Sequence, residues 1–522
     1  MEKLGRGAAL FATGLSLAAG CGSESTHVNG PENTSSTVAG TTGAPTTATT
    51  DAGSTTSGGA SVTQGSSGNT TSTTGNPMGT TSTSGGDTAT TTGAQGPLGS
   101  TGTTGGTSGT SATTGTSGDA TTGTSTTGGG GGGIDGYNDD FVEFVGEDCE
   151  LPEAMALSPA SHALPDPFKK ADGTRMTSIS EWACQRAWLK KQVEGFVHGA
   201  KPGTPDMVTG SVSDEEVQVQ IQHGGASASY SVSIELPPGA SGPVPGMFRA
   251  DGSGVPTSFL HAEGVAAMSY SHSSAESAYN AIYGGSGVSI QIKWAWAVSR
   301  IIDVLVSERD AGSNDIIDPT ALGTTGCSYA GKSAFTVGAF DERIALGIPV
   351  ESGTGGLGSY RVVGDNDLGP NGGENPEQVS EACGQNWLVS QVCSGNVDAV
   401  PADAHFLVAM YAPRGFTTLD NNRIGHLGPV AQFTSAAAGA EVFKALGIES
   451  HVGYHGGNDG DPHMHCSFNQ SQQETARTAI QGFLTKTIPP ANFMEPKLRN
   501  QSDQPVAYDL ANYIDWETPT LE

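Results

Sequence analysis

One serine in this chain lies in a run of small residues that strongly constrains the local fold. The run Gly326-Cys-Ser-Tyr-Ala-Gly-Lys-Ser-Ala-Phe335 follows apolar and turn residues at 316–322 and leads into a helix-like segment at 332–340. A serine between small residues at a strand-to-helix turn is typical of a nucleophile elbow, whose tight turn exposes the hydroxyl above a sheet. Ala330 stands where the usual motif has its second glycine. The motif therefore makes Ser328 a candidate nucleophile that needs support from elsewhere in the chain.

The first 138 residues differ from the rest in composition. Residues 1–21 carry Lys3 and Arg6, then an apolar stretch, and end in small residues before Cys21. This pattern resembles a bacterial lipoprotein signal, in which the cysteine becomes the lipidated first residue. The alternative is an ordinary cleaved signal with a stray cysteine, and we favour lipidation because Cys21 is the odd one of seven. Residues 22–138 are rich in Thr, Ser and Gly, with little apolar surface to offset the entropy of ordering, and we expect a disordered linker.

Residues 139–522 have an ordinary globular composition, and their number suits one large domain. The whole chain has a formal net charge of −30, which argues against nucleic acid and against anionic lipid as partners, because both attract Lys and Arg. We expect a monomer that meets the membrane only through its lipid anchor. The expected location is the bacterial cell surface or outer membrane, with secretion as the alternative.

The six cysteines after Cys21 are an even number in an exported domain, which favours disulfides. Zinc is the competing interpretation, but the sequence has no C-x-x-C pair. Six cysteines allow fifteen connectivities, and their spacing alone does not choose between them. The cysteines are Cys149, Cys184, Cys327, Cys383, Cys393 and Cys466.

Strand-like and helix-like patterns alternate along the domain. Residues 217–221 and 229–234 alternate apolar and polar side chains, as half-buried strands do, and 290–307 has helical spacing. Short apolar runs that suit buried strands follow at 344–350, 406–411, 416–419 and 452–454, with helical patterns at 436–446 and 472–484. Such alternation predicts an α/β protein. We expect one α/β-hydrolase domain, a three-layer sandwich around a mostly parallel sheet.

A hydrolytic serine needs a base within hydrogen-bond reach and an acid that orients the base. His465 directly precedes Cys466, just as Ser328 directly follows Cys327. A disulfide between these cysteines would hold their Cβ atoms within about 4 Å and place Ser328 beside His465. In the alternative, each cysteine pairs elsewhere and His463 or His465 is a surface residue. We favour the catalytic interpretation.

Two carboxylates are candidates for the orienting acid. Glu351 ends the apolar run at 344–350 and enters a glycine-rich loop. Asp420 ends the run at 416–419, a later and more usual position for this fold, although turn or capping chemistry also explains an aspartate before two asparagines. The residues alone leave both candidates open.

Several possible metal ligands share one loop near His465. Their spacing matches no helical pair of the i, i+4 kind, and three glycines between them indicate a loop. We therefore expect no metal and interpret the loop as the border of the active site. The residues are His455, Asp459, Asp461, His463 and His465.

Nine short motifs match one known family across nearly all of 149–522. They are Leu164-Pro-Asp-Pro-Phe168, Ala171-Asp-Gly-Thr174, Trp294-Ala-Trp-x-Val-Ser-Arg-Ile-Ile302, Gly326-Cys-Ser-x-x-Gly-Lys332, Asp341-Glu-Arg-Ile-Ala345, Pro349-x-Glu-Ser-Gly-x-Gly-Gly356, Ala412-Pro-Arg-Gly415, His465-Cys-x-Phe468 and Tyr513-Ile-Asp-Trp516. On these motifs the chain resembles the glucuronoyl esterases, especially the fungal ones. The resemblance implies a triad of Ser328, Glu351 and His465. It also implies disulfides Cys149–Cys184 and Cys327–Cys466, which leaves Cys383 and Cys393 to pair locally.

The resemblance also implies a substrate, the ester that joins 4-O-methyl-glucuronic acid of glucuronoxylan to lignin alcohols. The family's sugar-contacting lysine corresponds to Lys332. Its oxyanion-stabilising arginine is Tyr329 here, which donates hydrogen bonds but carries no charge. The family's tryptophan before Leu-Gly-Pro corresponds to His426. Its sugar-contacting Gln and Glu fall in a region of altered spacing around Glu377, Gln378 and Gln385. Of these three residues, we take Gln378 and Gln385 as substrate-binding.

The sequence thus predicts a serine esterase of the glucuronoyl esterase type that needs no cofactor. Ser328 attacks the ester, His465 takes its proton, Glu351 orients His465 and Tyr329 holds the oxyanion. Two alternatives remain open. One is an acetyl or feruloyl esterase on plant polysaccharide, which the changed sugar positions permit. The other is an inactive hydrolase fold that serves as a carbohydrate-binding surface lipoprotein.

Overall fold

The computed structural model describes residues 149–153, 155–364, 375–457, 464–499 and 504–522. The predicted signal and linker lie outside the described residues, as do 139–148 and, in the loop before His465, Asp459, Asp461 and His463. A search of the described ranges for a helix both long and apolar enough to cross a membrane finds none.

One mixed sheet contains the ten strands that the described residues form. The strands are β1 Met207–Val212, β2 Glu216–His223, β3 Ala226–Glu235, β4 Val244–Ala250, β5 Ala266–Tyr270, β6 Ile317–Cys327, β7 Ile344–Val350, β8 Gly415–Leu419, β9 Val452–His455 and β10 Met494–Glu495. Their order is β1-β2-β3-β5-β4-β6-β7-β8-β9-β10. The pairs from β1 to β5 are antiparallel, and those from β5 to β10 are parallel.

The burial pattern of each strand explains its place in the sheet. In β2, Val217, Val219 and Ile221 are buried while the residues between them are exposed, as expected of an antiparallel edge with one face in water. All five residues of β8 are buried, and all but one of β7, because helices cover both faces of the parallel part.

Nine α-helices accompany these strands in the described part of the chain. They are α1 Trp182–Val193, α2 Thr257–Ala262, α3 His272–Tyr283, α4 Ile290–Asp310, α5 Tyr329–Phe340, α6 Val379–Gly384, α7 Ala404–Ala409, α8 Pro429–Ala445 and α9 Gln470–Phe483. Neighbouring residues of β4 enter different hydrophobic cores: Met247 packs in the core of α2 and α9, and Phe248 in the larger core that includes α4 and α5. Helices therefore lie on both faces of the sheet, which confirms the three-layer α/β sandwich.

Most predicted elements are present, and one is wrong. Residues 217–221, 229–234, 344–350, 416–419 and 452–454 lie in strands, and 290–307 forms most of α4. Residues 406–411, however, lie in and after α7. Every residue of α7 is buried, so its apolar run shows no periodicity that separates a helix from a strand. The residue that could have indicated a helix start is Asp403. Its side chain accepts a hydrogen bond from the N–H of Ala404 and caps the helix.

Candidate active site

Ser328 lies in the sharp turn between β6 and α5. Its backbone has φ 57° and ψ −120°, a conformation that a residue with a side chain rarely adopts. A Cβ atom on Gly326 would lie 2.1 Å from the carbonyl oxygen of Ala330, and one on Gly331 would lie 2.5 Å from the carbonyl oxygen of Val350. The turn thus needs its second glycine at 331, one position later than in the usual motif, and Ala330 is tolerated.

Glu351 begins the turn after β7 and contacts the candidate base. It also has a positive φ, 46°, and its side chain is fully buried. Its Oε2 lies 2.5 Å from Nδ1 of His465 and accepts a hydrogen bond of 2.8 Å from the backbone N–H of Cys466. A carboxylate can only accept, so Nδ1 of His465 carries the proton and Nε2 is left as the basic nitrogen.

A disulfide joins the turn of Ser328 to the segment of His465. The Cα atoms of Cys327 and Cys466 are 5.7 Å apart in this bridge. Bridges Cys149–Cys184 and Cys383–Cys393 are also present, so all three pairs agree with the pairing expected from the resemblance. No hydrogen bond links Ser328 Oγ to His465 in the part of the chain that the structure describes, and the His465 side chain is 43% exposed. Catalytic hydrogen bonds often tighten only when substrate is bound.

Backbone hydrogen bonds continue across the sheet beyond the ends of the strands. Each residue that directly follows a strand donates its N–H to the carbonyl oxygen of the last residue of the neighbouring strand. The three bonds are Ser328 N–H to Val350 O (3.0 Å), Glu351 N–H to Leu419 O (2.9 Å) and Asp420 N–H to His455 O (2.8 Å). The candidate nucleophile and both candidate acids are therefore held in register by the main chain.

Asp420, the other candidate acid, has partners other than His465. It is fully buried and accepts hydrogen bonds from the hydroxyl of Tyr454 (2.8 Å) and Nε2 of Gln432 (2.9 Å). Burial raises the pKa of Asp420 to about 6. Oε1 of the same Gln432 accepts from the N–H of Gly353 (2.9 Å), so Asp420 supports the loop that follows Glu351. Glu351, and not Asp420, is the carboxylate that contacts His465.

Tyr329 is the first residue of α5. Its N–H therefore points out of the helix N-terminus with no acceptor within the helix. Burial, with smaller effects of Glu276 and Asp251, raises the pKa of Tyr329 to about 12, so the phenol is neutral at physiological pH. The residue directly after the candidate nucleophile thus carries a free main-chain donor and a neutral side-chain hydroxyl.

Lys332, which the resemblance implies to be a sugar contact, is buried among other residues of the protein. Its ammonium donates to the carbonyl oxygens of Ser352 (2.7 Å) and Thr354 (2.8 Å) and to Oε2 of Glu377 (2.6 Å). It also lies 4.4 Å from the ring centroid of Trp387. All three N–H donors are therefore used within the protein, and Lys332 holds the loop after Glu351. Burial lowers its pKa while Glu377 opposes that shift.

Of the three other predicted substrate contacts, one adjoins the triad. His426 is exposed and lines a cavity of about 380 Å³ together with His465, Asn375, Ile424 and Leu427. Its Nδ1 lies 3.2 Å from the carbonyl oxygen of Asn375. This cavity is the open space beside the candidate base.

The structure separates the two predicted glutamines from that cavity. Gln378 precedes α6 as its N-cap, donates through Nε2 to Pro376 O (2.8 Å) and lines a different cavity beside Cys383–Cys393. Gln385 is an exposed residue at the C-terminus of α6. Glu377, one position before Gln378, is the residue that joins Lys332. Because the spacing of this region differs from that of the family, the sequence did not indicate that Glu377 contacts Lys332.

The only potential metal ligands that cluster among the described residues are four groups of the triad region. The ligand atoms of Cys327, Glu351, His465 and Cys466 lie within 4.8 Å of one another. Both sulfurs are bonded to each other, so neither is a thiolate. In the glycine-rich loop, Nδ1 of His455 accepts a hydrogen bond from the N–H of Gly457.

Comparisons with known proteins agree with this geometry. A family model described as "Glucuronyl esterase, fungi" matches residues 219–447. The 4-O-methyl-glucuronoyl methylesterase of Neurospora crassa is 34% identical over 370 residues, which cover 69% of this chain and 89% of the relative.

Two solved structures of one enzyme are also similar. The recombinant glucuronoyl esterase of Sporotrichum thermophile superposes with a TM-score of 0.63 at 30% identity and covers 72% of this chain and all of its own. A serine-to-alanine mutant of that enzyme, in complex with methyl 4-O-methyl-β-D-glucopyranuronate, gives a TM-score of 0.61 with the same identity and coverage. With this fold, this site and these relatives, the chain belongs to the glucuronoyl esterase family of carboxylic ester hydrolases.

Proposed function

We propose that this esterase hydrolyses the ester of 4-O-methyl-glucuronic acid in glucuronoxylan, with Ser328 as nucleophile, His465 as base and Glu351 as the orienting acid. The observation that carries the proposal is the contact of 2.5 Å between Glu351 Oε2 and His465 Nδ1, beside a disulfide that ties His465 to the turn of Ser328. This arrangement supplies the three roles of a serine hydrolase.

The first half-reaction forms an acyl-enzyme. Oγ of Ser328 attacks the ester carbonyl as Nε2 of His465 takes its proton, and Glu351 stabilises the imidazolium. The backbone N–H of Tyr329 donates to the oxyanion of the tetrahedral intermediate, and its hydroxyl is a second neutral donor. His465 then returns the proton to the leaving alcohol. The cavity beside His465 gives that alcohol a route to solvent.

The second half-reaction releases the acid. Water enters beside His465, whose side chain is 43% exposed, and loses a proton to Nε2. The resulting hydroxide adds to the acyl carbon, the bond to Ser328 Oγ breaks, and the proton passes to Oγ. The product is a uronic acid, which ionises in neutral solution.

The complex of the Sporotrichum thermophile enzyme supports a uronate ester as the substrate class. In this chain, Glu377 N–H donates to His426 O (2.9 Å), and the exposed side chain of His426 offers polar atoms to a sugar in the cavity beside His465. We extend the proposal to lignin alcohols as leaving groups, because Ile424 and Leu427 give the cavity beside His465 an apolar lining.

A second candidate is an acetyl or feruloyl esterase on the same polysaccharides. Neither Gln378 nor Gln385 is among the residues that line the cavity beside His465, which favours it, because fewer polar groups are then left there to recognise a uronic acid. Hydrolysis of methyl 4-O-methyl-glucuronate, compared with acetylated xylan and a feruloylated sugar, separates the candidates. We expect the highest kcat/KM on the glucuronate ester, with loss in Ser328→Ala. Preference for an acetyl or feruloyl ester would overturn the substrate proposal.

For the location, we propose an exported protein held at the cell surface through lipidated Cys21. Three disulfides in the described domain support an oxidising compartment. The anchor itself is proposed from the sequence before Cys21.

A further inference from the structure

A short loop after β4 packs directly against the turn that carries Ser328. The loop spans residues 251–256 and joins β4 to α2, and β4 is the neighbour of β6 in the sheet. Gly254 in this loop has φ 98°, and a Cβ atom on it would lie 2.5 Å from the backbone nitrogen of Gly326. The loop therefore approaches the end of β6 more closely than a residue with a side chain would allow.

Ser253 in this loop contacts the residue that precedes the nucleophile. Its Oγ accepts a hydrogen bond of 3.2 Å from the N–H of Cys327. Pairing of β4 with β6 extends only as far as Arg249 and Thr325, so β4 offers no paired carbonyl to Cys327. The serine hydroxyl takes the place of that strand carbonyl. Cys327 is buried, and a buried N–H that loses its acceptor costs free energy.

Other contacts hold the same turn from the opposite side. The sulfur of Cys327 is bonded to that of Cys466, and the N–H of Ser328 donates to the carbonyl oxygen of Val350 in β7 (3.0 Å). Since β4 and β7 flank β6 on its two sides, Ser253 supplies the hydrogen bond on the side away from β7.

Ser328 needs contacts on both sides because its backbone is strained. Its φ of 57° and ψ of −120° are rare for a residue with a side chain, and such a conformation persists only where the surrounding structure fixes it. Without the hydrogen bond from Cys327 to Ser253, the turn can relax and move Oγ of Ser328 relative to His465. A displacement of about 1 Å in a reacting group can cost on the order of 100-fold in rate.

We propose that Ser253 is a positioning residue that acts through Cys327 to hold Ser328 in its reactive geometry. The inference rests on the proposed function only for Ser328 as nucleophile, and it is independent of the sugar and the leaving alcohol. It predicts that the hydroxyl is required and that threonine, which keeps the acceptor, replaces serine.

The test measures two rates in the full-length protein: labelling of Ser328 by a fluorophosphonate, and turnover of methyl glucuronate. The variants are Ser253→Ala, Ser253→Thr and, as a matched control, Thr257→Ala. The hydroxyl of Thr257 directly follows the same loop and accepts a hydrogen bond from Nη1 of Arg249 (2.6 Å). We expect Ser253→Ala to lose on the order of 10- to 100-fold in labelling rate and in kcat, with an unchanged KM. Ser253→Thr and Thr257→Ala should stay close to the parent in both rates.

Three results would overturn the inference while the proposed function stands. They are a parent labelling rate in folded Ser253→Ala, equal losses in Ser253→Ala and Thr257→Ala, and a loss in Ser253→Thr as large as that in Ser253→Ala. Amide hydrogen exchange of the parent adds a test that needs no variant: the N–H of Cys327 should be protected, and rapid exchange would count against its bond to Ser253. Labelling of Ser328 without turnover of the glucuronate ester would refute the proposed substrate and leave this inference intact. Absence of labelling in the parent would refute Ser328 as nucleophile and this inference with it.

Discussion

The disulfide Cys327–Cys466 should affect catalysis as well as stability, and the chain offers a matched control. Its bridge closes a loop with a sequence separation of 139, whereas Cys149–Cys184 closes one of 35. The loss of chain entropy in the unfolded state gives upper estimates of about 5 and about 4 kcal/mol for the two bridges. Cys327→Ala/Cys466→Ala and Cys149→Ala/Cys184→Ala should therefore lose similar free energies of unfolding.

Their activities should differ because only one bridge adjoins the triad. Cys466 donates its N–H to Glu351 at 2.8 Å and directly follows His465, so loss of the bridge frees the segment that carries the base. A displacement of about 1 Å in a catalytic group can cost on the order of 100-fold in rate. We expect a loss of that order in kcat for Cys327→Ala/Cys466→Ala and little loss for Cys149→Ala/Cys184→Ala.

The assay combines kcat on methyl glucuronate with denaturant unfolding, at a temperature where both double variants are folded. A kcat equal to that of the parent in Cys327→Ala/Cys466→Ala would refute the idea that the Cys327–Cys466 bridge positions His465. An equal loss in both would instead show that general destabilisation explains the effect.

Three further outcomes are expected. Glu351→Ala should lose on the order of 10⁴ in kcat, near the loss in Ser328→Ala, whereas folded Asp420→Ala should keep most activity; the reverse order would reassign the acid. Because burial raises the pKa of Asp420 from 3.8 to about 6, the folded state holds a proton that the unfolded chain releases, so stability should fall as pH rises from about 4 to 6. Asp420→Asn should flatten this profile in denaturant titrations, and an unchanged slope would count against the shift. Cys21→Ser should release the protein from membranes with unchanged specific activity, and continued membrane fractionation would place the anchor elsewhere.

Local signals indicated Ser328 and His465 as candidates, whereas the choice of Glu351 over Asp420 came from the family resemblance. The elbow was visible because only small residues fit its turn, and the pairing of Ser328 with His465 because each has a cysteine beside it. Each of these motifs lies within a few adjacent residues, so the sequence shows each one directly, although the two are far apart in the chain.

Contacts between distant segments were not predictable in the same way. The hydrogen bonds of Lys332 to the carbonyl groups of Ser352 and Thr354 are one example, because these residues lie 20 and 22 positions from it. The support of the Glu351 loop by Gln432 joins residues 79 positions apart, and nothing in the motif of either residue indicates it. Such hydrogen bonds depend on tertiary packing and leave no periodic signal.

The three backbone hydrogen bonds at the ends of β6, β7 and β8 have a consequence for sequence divergence. They join main-chain atoms of Ser328, Glu351 and Asp420 to neighbouring strands, so they do not depend on which side chains those neighbours carry. Mutational drift can therefore exchange most surrounding side chains while the spacing of nucleophile and acid is retained. The identity of 34% over 370 residues to the Neurospora crassa relative is compatible with such an arrangement. Residues that line the site, such as Tyr329 and His426, are then free to evolve separately from the catalytic framework.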